Sequence, residues 1–363
     1  MEKNSMAHKL YHSVDELLAP ETLTKLTGSQ IKYVRCMPME GGLSGSSLLR
    51  IEADCANGTN RFVLKRMASQ RDWIMAASND QRCRSVTLWQ SGLLDRLQPT
   101  FSHTILACAR DDAGWALLME DVSSTLVPEE PLTNNQLYLL LDSLASLHAT
   151  FWEATALTDP ELGLCSTEQL LQVFTPATGH RFADVASPIP KLLFEGWYLL
   201  QDLVAPDVVD VLDSLYTNSQ PLCDALARYP MTLVHGDFRG PNLGITWQPT
   251  PQTILFDWQL AGYSAATIDL AWFFSTPNVL FSSVTWDDAA AYYRQRLAAQ
   301  LGMRFDNDWW QPLLALGQLV NVLRRGSLKA RSAAYHTNEA YRVMDRKVLD
   351  LYSGQVRAAV QWL

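Results

Sequence analysis

The feature that most limits this chain is a change of hydrophobic period along its length. Up to about residue 122 the apolar residues come in short β-prone runs: IKYVRCMPME, SSLLRIEAD, RFVLKRM, HTILACAR and WALLMED. Glycines separate the first two runs, Asn57-Gly58 separates the next two, and Asp111-Asp112-Ala113-Gly114 separates the last two. These are hairpin and turn signals. One helical segment, roughly 79–97, interrupts the runs, and a short helix opens the chain at HSVDELLAP. There Ser13 and Glu16 have capping-box spacing. After Pro128 and Pro131 the period becomes helical. Leu137, Leu140, Leu141, Leu144 and Phe151 fall on one helix face, and further helices are expected near 187–203, 206–227, 286–301, 309–328 and 338–362. Within this region lies a single β interruption, MTLVHGD, LGITW and TILFDW. The pattern predicts an α+β chain: a small, mostly antiparallel β lobe over 1–122 and a larger, mostly helical lobe over 123–363.

Composition narrows the function classes. Hydrophobic residues make up 48% of the 363, enough to bury a large core, which excludes a disordered or low-complexity chain. The net charge of −9 carries no general nucleic-acid footprint. Residues 1–122 balance 14 basic against 14 acidic side chains, 123–323 hold 7 against 21, and 324–363 hold 8 against 3. Any anion must therefore be held by local groups. Six scattered cysteines with no C-x-x-C pair read as small core residues in a reducing compartment. No stretch suits a signal peptide or approaches the roughly 18 apolar residues of a membrane span. A cytoplasmic protein with no membrane partner is expected.

The chemistry concentrates in the β interruption. Asp237 and Asn242 of His235-Gly236-Asp237-Phe238-Arg239-Gly240-Pro241-Asn242 are five residues apart, the spacing of a kinase catalytic loop. Phe256-Asp257-Trp258 follows the next two strands. Phosphoryl transfer needs one carboxylate to orient and deprotonate a hydroxyl. It also needs an amide oxygen and a second carboxylate for the hard cation Mg²⁺. A hairpin between Asn242 and Asp257 would let both reach one metal. Upstream, the Gly/Ser loop Glu40–Ser47, with Gly42, Ser44, Gly45 and Ser46, could offer backbone N–H groups to phosphates, or be no more than a hairpin. Lys65, on the third strand, is placed to pair phosphates, although a lone Lys on an edge strand is often a solubilising charge. Met119-Glu120-Asp121-Val122 joins the two lobes, where a nucleobase could bond the backbone.

These motifs together resemble the aminoglycoside phosphotransferase and choline kinase-like family, small-molecule kinases with the protein-kinase fold. HGDFRGPN resembles its catalytic loop and FDWQ its metal motif. Leu147-His148-Ala149-Thr150-Phe151-Trp152 resembles its L-H-A-x-F-W helix, and Ile268-Asp269-Leu270-Ala271-Trp272-Phe273 its D-L-A helix. The resemblance covers nearly the whole chain in order. It implies a bilobal kinase fold, ATP or GTP as co-substrate with Mg²⁺, and a hydroxylated small-molecule acceptor. Carried over, Asp237 is the base, Asn242 and Asp257 bind metal, Lys65 holds phosphates, and the backbone near Glu120 and Val122 takes the nucleobase. Asp269 would brace the catalytic loop, or cap its own helix. His235 and His148 read as structural rings, and Arg239 as either a γ-phosphate contact or the partner of an acid. One departure stands out: Ser85, in Arg84-Ser85-Val86-Thr87-Leu88-Trp89, occupies the place of the Glu that pairs with the strand-three Lys. Neither Asp72 nor Asp80 is in register to replace it, so a looser hold on Lys65 is expected.

Twelve residues from Asp257 to Asp269 leave no room for a peptide-binding activation segment, which favours a small acceptor. Stretch 152–230 holds 11 acidic and 3 basic residues. It could draw a cationic amine or aminoglycoside-like acceptor, or present ordinary solvated helix faces. Trp152, Trp197 and Tyr198 could form an aromatic surface for it, or pack the core. The rival function is a nucleotide-binding pseudokinase or scaffold, for which the missing Glu speaks. The oligomeric state leaves no mark in the sequence.

Overall fold

The computed structural model describes residues 7–112 and 114–363; Ala113, in the expected 111–114 turn, lies outside them. Helices α1 (Val14–Leu18) and α2 (Pro20–Thr27) come first. Ser13 caps α1, its Oγ accepting the Glu16 N–H at 3.1 Å. Strands β1 (Ile31–Met39), β2 (Ser47–Cys55) and β3 (Gly58–Met67) then form an antiparallel meander. Cys55 pairs with Gly58, so the two-residue loop Ala56-Asn57 closes the second hairpin where the sequence signals a turn.

The single helix expected over 79–97 does not form. Within that range the chain forms the shorter α4 (Arg84–Gln90), preceded outside it by α3 (Trp73–Ala77). Asp72 Oδ1 caps α3 by accepting the N–H groups of Ile74 and Met75, both at 3.0 Å. Asn79 and Cys83 turn left-handed, at φ 51° and 61°, and Asp80 accepts the Arg82 and Arg84 N–H groups. Short polar side chains thus capture the backbone bonds a continuous helix would need. Next come β4 (Phe101–Ser102), β5 (Ile105–Asp111) and β6 (Gly114–Glu120). The five-stranded antiparallel sheet has the order β1-β2-β3-β6-β5, so β3 is central, not an edge.

Beyond it run α5 (Asn134–Thr150), α6 (Thr167–Gln172), α7 (Pro176–Arg181), α8 (Ile189–Leu203), α9 (Pro206–Thr217) and α10 (Gln220–Leu226). The expected leucine stripe of α5 is fully buried, while the helix expected over 206–227 divides after Thr217. The β interruption becomes β7 (Thr232–Val234), β8 (Leu243–Thr246) and β9 (Gln252–Leu255). A sheet of order β4-β9-β8 takes in the last two, and β10 (Gly262–Ser264), which the sequence did not signal, pairs antiparallel with β7. Helices α11 (Thr267–Phe274), α12 (Pro277–Leu280), α13 (Trp286–Leu301), α14 (Trp310–Tyr335) and α15 (Glu339–Val360) complete the chain.

The contacts divide into two compact units. One takes the chain up to Leu126 with Pro160–Gly163 and Gly244–Gln259; the other takes Val127–Asp159, Leu164–Leu243 and Leu260–Leu363. In the second, α14 is the central helix, packed against α8, α11 and α15. Cys83, Cys108 and Cys165 are buried as expected, whereas Cys36 is exposed and Cys55 and Cys223 are half-buried. Among the described residues no helix is long and apolar enough to cross a membrane.

The approach of α8 to α14 depends on Gly196, where a Cβ would stand 2.1 Å from the Ser327 carbonyl oxygen. Gly196→Ala gains up to about 1 kcal/mol of helix propensity but must push two helices apart. Overpacking of this kind costs about 1–3 kcal/mol. A lower urea midpoint is expected, and an unchanged one would show that α8 shifts freely.

Candidate active site

In the first unit, Lys65 sits mid-strand on β3, opposite Leu48 and Leu117, with 8% of its surface exposed. A lysine buried on a central strand needs a partner. Its Nζ donates to Asp257 Oδ1 at 2.7 Å. Burial works to lower the Lys65 pKa, but the charge and hydrogen bond of Asp257, helped by Asp72, leave it raised. The looser hold expected from Ser85 is therefore not what the structure has. Ser85 is buried on α4, and Asp80 pairs with Arg84 at 3.7 Å. Asp257 itself adopts a left-handed backbone, φ 65°, a strained state for a non-glycine residue.

Asp72, fully buried, has work apart from Lys65. Its Oδ2 accepts the hydroxyls of Ser44 and Ser46 at 2.6 and 2.5 Å, and its Oδ1 accepts Gln259 Nε2 at 2.6 Å. The Gly/Ser loop is thus tied to the segment that carries Asp257. Because both serine hydroxyls turn inward, only the loop's backbone remains for a phosphate. Gly42 and Gly45 have φ of 84° and 99°, and a Cβ on Gly45 would meet the Arg71 carbonyl oxygen at 2.1 Å. After β6, Glu120 N–H donates to Thr104 O at 3.0 Å and the Val122 carbonyl accepts Thr125 N–H at 2.9 Å.

In the second unit, Asp269 accepts the His235 and Gly236 N–H groups at 2.6 and 2.8 Å. It lies inside α11, whose N-cap is Ala266, so it braces the loop and does not cap the helix. His148, fully buried, contacts Tyr293 Oη at 2.5 Å and Asp269 Oδ2 at 3.4 Å, a satisfied core ring. His235 Nδ1 accepts the Asp237 N–H at 3.3 Å within the loop. Burial alone would raise the Asp269 carboxyl. The bond and charge of His148, then the charge and N–H of His235, outweigh burial and hold it below the usual carboxylate range.

Asp237 is fixed by three side-chain donors. Oδ1 accepts Arg239 Nε and Trp272 Nε1, both at 2.8 Å, and Oδ2 accepts Asn242 Nδ2 at 2.7 Å. Of the two readings of Arg239, the structure realises the pairing with an acid, and that acid is Asp237. Asn242 Nδ2 also donates to the Asp237 carbonyl at 2.9 Å, which leaves the amide oxygen as the atom a cation would take. Arg324 lies over the Trp272 ring at 4.1 Å and Arg325 at 4.9 Å; Arg324 Nη2 donates to the Gly236 carbonyl at 2.6 Å. Burial pulls the Arg324 guanidinium down to about 10, against the attraction of Asp237 and Asp269. Trp272 and Arg324 escaped the sequence reading as parts of the site. The single available signal was an arginine pair interrupting an apolar helix.

Among the described residues no group of three or more His, Cys, Asp or Glu could hold a metal. Within the second unit Asn242 offers an amide oxygen, and within the first Asp257 offers a carboxylate; each is a hard donor of the type Mg²⁺ takes. Trp152 and Trp197 are buried, while Tyr198 is exposed, so two of the three aromatics pack the core.

A model of the phosphotransferase enzyme family matches residues 93–313. The chain belongs to that family, and is an enzyme of phosphoryl transfer. Among solved structures it is similar to an ethanolamine kinase from Plasmodium vivax, with TM-score 0.52 and 11% identity over 91% of this chain and 85% of that one. It is also similar to choline kinase LicA from Streptococcus pneumoniae, with TM-score 0.50 and 13% identity over 92% and 96%. At such identities the likeness is one of fold, the α+β kinase-like fold expected from the sequence. No curated protein matches the chain.

A depressed carboxyl stabilises the fold above its unfolded value, about 3.9, and loses that contribution as pH falls through its lower native value. Asp269→Asn should leave one loop N–H unpaired, costing about 1–3 kcal/mol at pH 7. Its denaturant stability should also fall less steeply than wild type between about pH 5 and 2. Equal acid dependence in the two proteins would remove Asp269 as the titrating brace.

Proposed function

We propose that the chain transfers the γ-phosphoryl group of ATP or GTP to a hydroxyl of a small-molecule acceptor, with Asp237 as the base. The observation that carries this reading is the three-donor cradle around Asp237. It fixes the carboxylate's orientation and leaves Oδ2 with a single side-chain donor, Asn242. The acceptor hydroxyl donates to Oδ2, its oxygen attacks the γ-phosphorus, the bond to the diphosphate oxygen breaks, and the proton passes to Asp237. Lys65 takes the α- and β-phosphates. The backbone of Gly42, Ser44, Gly45 and Ser46 lies along the phosphates, and the backbone near Glu120 and Val122 takes the nucleobase. Asn242 and Asp257 would hold Mg²⁺, which neutralises phosphate charge when bound.

A scaffold needs neither an aimed carboxylate nor a buried lysine paired with a metal-type acid, so the enzymatic reading is preferred. The cationic acceptor suggested by charge has weaker support. Acids of 152–230 sit on helix faces, where Asp207 pairs with Arg357, Glu161 with Arg82, and Glu195 with Lys191 and Arg331.

Asp237→Asn should lower kcat by about 10²–10⁴-fold, with nucleotide affinity near wild type, read from acceptor-dependent diphosphate release. Equal turnover would defeat the base assignment. Asp257→Ala should abolish Mg²⁺-dependent turnover and also lower stability, because it strands the buried Lys65 ammonium. Asp257→Asn separates the two effects: the amide oxygen still accepts from Lys65 while the carboxylate charge is lost. Full turnover in Asp257→Asn would dismiss the metal role.

A further inference from the structure

Within the second unit, α11, α12, α14, α15 and the segment 282–286 line a cavity of about 270 Å³, close to the lower bound of about 300 Å³ for small-molecule sites. Phe274, Val279, Leu280 and Val348 contribute apolar wall, and no charged side chain lines it. Three polar atoms on that lining are buried without a partner: Asn321 Oδ1, Gln355 Oε1 and Ser282 Oγ. Asn321 is 4% exposed and Gln355 9%. Two unpartnered carbonyl-type oxygens in a largely apolar cavity carry a desolvation cost that a ligand bearing O–H or N–H donors would relieve.

The cavity borders the catalytic loop through two helices. On α11, Trp272 donates to Asp237 while Ala271 and, just past the helix end, Ser275 line the cavity. On α12, Asn278 lies against Gly240, where a Cβ would meet its Nδ2 at 2.6 Å, while the next residues, Val279 and Leu280, line the cavity. The charge around Asp237 is basic: Arg239 is bonded to it, and Arg324 and Arg325 lie over the indole bonded to it. Three guanidinium groups against the two carboxylates of Asp237 and Asp269 leave the surroundings of Asp237 net positive, and an anion finds no cationic side chain on the cavity lining.

We propose that this cavity seats the body of the acceptor, and that the acceptor is an uncharged hydroxylated molecule with an apolar portion and hydrogen-bond donors facing Asn321 and Gln355. The assignment rests on the phosphoryl-transfer reading above. Gln355→Leu removes an unpartnered acceptor and adds apolar surface, so the fold should keep or gain thermal stability while the ligand loses its donor contact.

The test measures nucleoside-diphosphate release by the full chain with Mg-ATP and three sets of hydroxylated probes. Phenyl β-glucoside and adenosine are neutral, choline and kanamycin cationic, and glycerate anionic. Ligand-observed NMR binding is run with the same compounds. The expected result is a neutral probe with kcat/KM at least about tenfold above every charged one. Gln355→Leu should raise the KM of that probe about tenfold, with the nucleotide KM and the melting temperature held. Preference for a charged probe would overturn the neutral-acceptor assignment. A neutral preference undisturbed by Gln355→Leu would overturn the cavity's role, as would neutral binding without transfer. Turnover of a cation that Asp237→Asn abolishes would sink this inference and leave phosphoryl transfer standing. Absence of transfer to every probe would count against both.

Discussion

The buried Asp269 carboxylate is the contact on which the second unit's chemistry depends. Its two oxygens take the N–H groups of His235 and Gly236, and those bonds define a turn few residues could adopt. Gly236 has φ 77°, and a Cβ there would lie 2.2 Å from the Leu260 carbonyl oxygen. With Gly236 held from below by Asp269 and at its carbonyl by Arg324, Asp237 has little freedom to move. Catalysis by a positioned carboxylate depends on such a support, since small misplacements of a reacting group cost rate steeply.

Around the Asp237 carboxylate the protein arranges positive charge and N–H dipoles. Arg239, Trp272 and Asn242 supply three donors to two oxygens. The Trp272 ring is in turn covered by Arg324 and Arg325. A guanidinium over an indole face is attracted by the ring's quadrupole, which locks the indole edge toward Asp237. The cluster takes up two of the eight basic residues of 324–363, Arg324 and Arg325, which serve the loop from beneath.

Much of this was legible in the sequence where local chemistry dictates structure. Asn57 marks a hairpin that forms one residue earlier than the Asn-Gly pair, the α5 stripe is buried, and Asp269 braces the loop, one of the two roles that the resemblance left open for it. What escaped reading depended on distant partners. The helix expected over 79–97 is shortened to α4 because Asp80 captures the Arg82 and Arg84 N–H groups and Cys83 turns left-handed, a competition that apolar periodicity does not record. Strand β10 is three residues long and exists through β7. The indole N–H of Trp272 could not be assigned to Asp237, because the apolar run LAWFF reads equally well as core.

The missing helix Glu shows how one task can be redistributed. Where the family's pattern places an acid, this chain has Ser85 beside Arg84, and Arg84 is fully buried. Its guanidinium donates to Ser78 O, Ser78 Oγ, Gly163 O and Gln259 O. Asp72 reaches the same Gln259 through its side chain. The segment that carries Asp257 is therefore anchored by a buried arginine at its backbone and a buried aspartate at its amide, and Asp257 is in turn bonded to Lys65. A Glu on α4 would compete for Lys65 and stand as an extra buried charge next to Asp80. With Asp72 adding attraction across space, Lys65 is charge-balanced without it. The lysine is thereby coupled to the residue proposed for the metal, and a change at either end of the Lys65–Asp257 pair disturbs the other.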